Sequence, residues 1–145
     1  EGKVVKKSIR FLSLFLAVVL LLAIPVSAAE ISPYASNYFM GYGAYLEEAT
    51  SSSFEVWFTV TAVGTLEKLG VNYIDIERSS DGVNWSVVKT YTKESYSNLV
   101  ASNAYYHSGH VTYTNKQSGY QYRAYVDFYA KNGSGTASTG TYAYF

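Results

Sequence analysis

The chain has 145 residues, with 11 Lys and Arg against 11 Asp and Glu, no cysteine, two prolines and 16 tyrosines. That length fits one domain, and balanced charge without a basic stripe argues against a nucleic-acid binder. The lack of cysteine excludes disulfides, thiolate-held zinc or iron–sulfur clusters and thiol nucleophiles, and 48% apolar residues are too many for a disordered chain.

Lys3, Lys6, Lys7 and Arg10 precede an apolar run from Phe11 to Ile24, which Pro25 ends. Val26-Ser27-Ala28 follows as a small-residue processing site, with Ser27-Ala28-Ala29 as an overlapping alternative. A basic start, a 14-residue apolar stretch and small residues together read as a secretory signal peptide over residues 1–29. A spanning helix needs about 20 apolar residues. The expectation is a secreted domain over residues 30–145, cut after Ala28 or Ala29 and free of the membrane once cut. Glu1 is not Met, so either a start of translation upstream or a truncated chain is expected. Without the leader, 7 basic residues stand against 10 acidic ones, a net charge of −3, and 23 of 116 residues are aromatic. Export without cysteine suits a Gram-positive bacterium.

Beyond the leader, period-two alternation dominates. A first strand is expected over Tyr38 to Leu46. Phe54, Val56, Phe58, Val60 and Ala62 alternate with Glu55, Trp57, Thr59 and Thr61, the clearest half-buried strand. Thr65 to Leu69 reads as one helical turn, capped by Thr65 and ended by Gly70. A strand over Val71 to Arg78, a Ser79-Ser80-Asp81-Gly82 turn and a return over Trp85 to Thr92 make a hairpin. Lys93 to Tyr106 is polar and reads as a loop with a turn of helix. Val111 and Tyr113 mark another strand, Tyr120 to Ala130 the next and Ala137 to Phe145 the last. About seven antiparallel strands predict an all-β sandwich, with an open barrel of the oligonucleotide-binding type as the alternative.

The hairpin over Val71 to Trp85 resembles the third strand and hairpin of fibronectin type III domains. Gly119 to Val126, followed by Ala130-Lys-Asn-Gly133-Ser-Gly135, resembles their sixth strand and turn. The resemblance implies an immunoglobulin-like sandwich in which the Tyr122 hydroxyl reaches back to the preceding turn. Val56 to Leu66, Trp85 to Tyr91 and Tyr106 to Tyr113 are similar to a family of small exported Firmicutes proteins of the Clostridia type. That family is a domain of unknown function, so it implies export and fold but no activity or cofactor.

His107 and His110 are the only histidines. Three residues apart on a strand they face opposite sides, so a packed pair is expected and no metal. Ser79 to Trp85 is one residue short of an Asp-box, a motif that serves the turn itself. Asn84-Trp-Ser86 and Asn132-Gly-Ser134 match the glycosylation sequon by chance. No G-x-S-x-G elbow is present, and Asp75, Glu77 and Asp127 sit at outward strand positions rather than across a cleft. No catalytic residue and no cofactor is expected. Arg123 is expected to pair with Asp75 or Glu77 across neighbouring strands.

The tyrosines carry the functional lead. Tyr73, Tyr125 and Tyr129 are expected to project outward beside Arg123 and Asp127, with Trp57 outward on the other sheet. Such a face suits a flat glycan or a surface protein, with rings for stacking and polar groups for orientation. The plainer reading is cross-strand aromatic pairing that stabilises the sheet. The expected function is a non-catalytic binding module; the alternatives are a bacteriocin-like antibacterial protein and a self-associating structural protein.

Overall fold

The computed structural model describes residues 35–133 and 135–145; the leader expected over residues 1–29 lies outside them. One helical turn, α1 (Ala35–Tyr38), precedes β1 (Phe39–Thr50), β2 (Ser53–Ser79), β3 (Ser86–Thr92), β4 (Val100–Tyr113), β5 (Gln121–Asn132) and β6 (Gly135–Ala143). All strand pairs are antiparallel and belong to one sheet. The expected all-β antiparallel architecture is present. In place of about seven strands in two sheets, the described residues form six strands in one curled sheet.

The difference originates in β2, where two expected strands are one strand of 27 residues. Its first half carries the buried row Phe54, Val56, Phe58, Val60 and Ala62 and pairs with β1 on one side and β4 on the other. Its second half carries buried Leu69, Val71, Ile74 and Ile76 and pairs with β5 on one side and with β3 and the start of β4 on the other. The ladder to β4 slips between Thr61 and Leu66, and Val63, Gly64 and Thr65 are exposed there. Extra residues on one strand bend it, so the two halves fold toward each other. Phe54 of the first half consequently lies 5.5 Å, ring to ring, from Tyr122 on β5.

Inward phase changes between Leu66 and Leu69 and changes again at Asn72, an extra residue relative to β5 between the Val71 and Tyr73 pairs. A bulge of this kind flips the faces of everything after it. It brings Ile74 and Ile76 back to the core and leaves Tyr73, Asp75 and Glu77 on the outer face.

The helical turn expected over Thr65 to Leu69 is strand. Leu66 pairs with Ala104 on β4, and Leu69 pairs with Ala101 on β4 and Ala130 on β5, so sheet ladders take the backbone groups that a helix would have used. Gly70 is no helix terminator: a Cβ there would lie 2.0 Å from the Leu99 carbonyl oxygen. The expected loop of residues 93–106 is shorter, because strand β4 begins at Val100 after a 3-10 turn over Ser97–Leu99. Exposed Ser102 and Asn103 hide the alternation there, and Asn103 adopts a left-handed φ of 50°, which Asn tolerates better than most residues.

Two local expectations match. The Tyr122 hydroxyl accepts the Gln117 backbone N–H at 2.9 Å. In the hairpin turn, Asp81 accepts the N–H groups of Val83 and Asn84 at 2.9 and 2.8 Å and the Ser79 hydroxyl at 2.9 Å. Gly82 supplies the positive φ of 73°, and the Trp85 indole folds back to donate to the Gly82 carbonyl at 3.2 Å.

Candidate binding face

On β5 the even residues Tyr122, Ala124, Val126, Phe128 and Ala130 are buried, so Arg123, Tyr125, Asp127 and Tyr129 point the other way. Sheet register fixes their neighbours. Asp75 on β2 pairs with Tyr125, which pairs with Tyr142 on β6. One step along, Tyr73 pairs with Asp127 and then Gly140; one step the other way, Glu77 pairs with Arg123.

The rings on this face form a continuous chain. Tyr73 lies 6.1 Å from Tyr125, Tyr125 lies 5.1 Å from Tyr142, and Tyr142 lies 6.2 Å from Tyr144. Tyr125 also covers Gly140, where a Cβ would meet its hydroxyl at 2.2 Å. A glycine diagonal to an aromatic across the ladder leaves room for the ring over the neighbouring strand, the arrangement by which rings shelter strand glycines. Tyr144 is 55% exposed. Beyond it a hollow of about 430 Å³ opens between Trp85, Tyr120, Tyr144 and Phe145.

Arg123 is committed within this face. Its Nε donates to Glu77 Oε2 at 2.7 Å, and its guanidinium carbon lies 4.3 Å from the centroids of both the Trp85 and Tyr142 rings. Of the two acids expected as partners, the structure gives Glu77; Asp75 accepts the Thr90 hydroxyl instead. Arg123 therefore fastens Trp85 and Tyr142 in place rather than reaching toward solvent.

Asp127, only 9% exposed, lies beneath the rings. Its Oδ2 accepts Asn72 Nδ2 at 3.1 Å, and Asn72 Oδ1 accepts the Lys93 ammonium. Burial pushes the Asp127 carboxyl up, while the Asn72 bond and Lys93 pull it down. Burial also raises the hydroxyl pKa values of Tyr73 and Tyr125, with the Asp127 carboxylate adding to both. Both phenols therefore stay protonated at neutral pH and keep a hydroxyl donor on the face.

Tyr129 stands at one end of the face, with the Lys93 ammonium 4.5 Å from its ring centroid. Trp57 belongs elsewhere, on the first half of β2. It forms a row with Tyr45 and His110, 6.4 and 4.3 Å away ring to ring, and its indole donates to Glu55 at 2.9 Å. Of the six expected residues, the structure joins Tyr73, Tyr125, Arg123 and Asp127, adds Tyr129 at the margin and separates Trp57. Sequence reasoning missed Tyr142, Tyr144 and Trp85. Tyr142 and Tyr144 alternate at the end of the chain, a signal for one shared face; in sequence Trp85 reads only as part of the turn.

The histidines face opposite sides. His107 pairs with buried Val60, and its Nε2 is 2.8 Å from the Asn98 carbonyl. His110 pairs with outward Trp57, and its Nε2 is 3.8 Å from Glu55. Among the described residues no three His, Cys, Asp or Glu side chains gather as metal ligands do, and no helix is long and apolar enough to cross a membrane. No family model, curated protein or solved structure matches the chain.

Proposed function

We propose that the chain is a secreted, non-catalytic binding module whose Tyr73–Tyr125–Tyr142–Tyr144 face engages a glycan. The observation that carries this reading is the unbroken chain of rings on the outer face of β2, β5 and β6, braced from below by Arg123 and Asp127. Rings held rigidly and half-exposed offer apolar stacking area with polar tips, and ordering them on binding costs little because they are already fixed. Export is supported by the leader-like residues 1–29. The two facing halves of the curled sheet serve as the two layers of a sandwich, the reading with which the fibronectin-like hairpin and the Tyr122 bond agree.

The test is retention on insoluble polysaccharide and peptidoglycan. Tyr73→Ala combined with Tyr125→Ala is expected to abolish retention while far-UV circular dichroism stays that of the wild type. Retention unchanged in a folded double variant contradicts the proposal.

A further inference from the structure

One end of the tyrosine face is basic. Lys68 on β2 pairs directly with Lys131 on β5, and directly opposed like charges destabilise a sheet. Lys93 joins them around a hollow of about 390 Å³ that Tyr129 and Ser97 also line. Of the seven Lys and Arg outside residues 1–29, three are gathered here. Two carboxylates partly offset them: Glu94 lies 3.4 Å from Lys93 and Glu67 lies 4.0 Å from Lys131. Lys68 is bonded only to a neutral partner, the Ser102 hydroxyl at 2.8 Å, and Lys93 is held over the Tyr129 ring. Among the residues that line the hollow, three lysines stand against one carboxylate, Glu94; Asp127, which also acts on Lys93, lies outside that lining.

The hollow continues the aromatic face. From Lys131 to Arg123 along β5 is about 27 Å at the ordinary rise of a strand, with Tyr129, Asp127 and Tyr125 between. We propose that this hollow takes an anionic substituent, phosphate or carboxylate, of a polysaccharide lying along the tyrosines, so that the ligand is an anionic glycan. The inference rests on the glycan reading of that face. The like-charged Lys68–Lys131 pair costs the free protein, a cost that an anion bound in the hollow relieves.

Affinity electrophoresis of the full chain in gels containing polyglycerol phosphate, polygalacturonate or neutral dextran tests it. The wild type is expected to be retarded by an anionic polymer more than by dextran, less so as salt is raised. Whether the phosphate or the carboxylate gel retards it more names the substituent. Lys68→Gln with Lys131→Gln is expected to weaken anionic binding at least tenfold, spare binding to dextran and leave the melting temperature equal or higher. Anionic binding unchanged in this variant, or dextran binding weakened equally, overturns the proposal while leaving the tyrosine reading standing. Should no polymer bind, the tyrosine reading fails and the hollow is judged by NMR titration with inorganic phosphate and galacturonate. Shifts of the Tyr129 ring that the lysine variant removes uphold the anion site; no shifts overturn it.

Discussion

Arg123 donates from Nε to Glu77 Oε2 at 2.7 Å across the β2–β5 ladder, and both side chains are largely buried, at 20% and 13% exposure. The same guanidinium lies over two aromatic rings, Trp85 and Tyr142. Arg123→Ala removes a charge-assisted hydrogen bond and two cation–π contacts and leaves Glu77 without its partner, an expected loss of about 3 kcal/mol. Arg123→Lys keeps the charge but not the planar guanidinium that contacts both rings, so it is expected to restore less than half. Chemical denaturation measures both, and a loss under about 0.5 kcal/mol for the alanine variant, the scale of an ordinary exposed pair, contradicts this role.

Asp127 has the opposite relation to stability. Burial raises its pKa above the ordinary 3.8, so the folded chain holds the proton more tightly than the unfolded one. Ionised Asp127 therefore lowers stability at neutral pH, and that cost fades as pH falls through the folded pKa toward 3.8. Asp127→Asn keeps an oxygen for Asn72 and removes the buried charge. Its melting temperature at pH 7 is expected to equal or exceed that of the wild type, and it should lack the wild type's gain on mild acidification.

For Asp81 the sign reverses. Hydrogen bonds from Asn84, Val83 and Ser79 hold its carboxyl far below the ordinary value of 3.8. Stability from this turn is present above pH 3.8 and is lost as pH falls through the folded pKa. Asp81→Ala is expected to lower the melting temperature at pH 7 and to flatten the acid limb of the stability curve. A curve parallel to the wild type's at every pH contradicts it.

Gly70 and Gly41 separate two uses of glycine within strands. A Cβ at position 70 meets the backbone of Leu99 and Val100, whereas one at position 41 meets nothing within 4 Å. Backbone cannot step aside as a flexible side chain does, so Gly70→Ala is expected to cost about 3 kcal/mol. Gly41→Ala is expected to stay within about 0.5 kcal/mol of the wild type. Equal melting temperatures for the two variants contradict the close approach.

Much of the sheet was legible because alternation in Phe54 to Ala62 and in Tyr122 to Ala130 reports one buried face directly. The outward set Tyr73, Tyr125, Asp127 and Arg123 followed from the same periodicity, as did the turn around Asp81 and the Tyr122 bond. What failed were places where local signals have two causes. Gly70 reads as the end of a helical turn, yet it lies within a continuous strand and yields space to Leu99. The extra residue at Asn72 changes phase through tertiary pairing, which composition does not announce. Trp57, expected outward on the other sheet, stands apart from the Tyr73 cluster on the first half of β2. Arg123 and Asp127, expected beside a ligand, are instead tied up beneath the rings, a distinction that depends on burial.

The central question is whether the ring chain binds a ligand or only stiffens the sheet. The most direct measurement is the dissociation constant of Tyr73→Ala with Tyr125→Ala against Tyr45→Ala on a retained polysaccharide, with the melting temperature recorded in parallel. Two ring contacts of about 1 kcal/mol each correspond to roughly thirtyfold. A loss of that order is expected in the double variant and none in Tyr45→Ala, which alters the separate Trp57 row. A double variant that binds as tightly as the wild type while melting several degrees lower contradicts binding by the rings and assigns the tyrosines to stability alone.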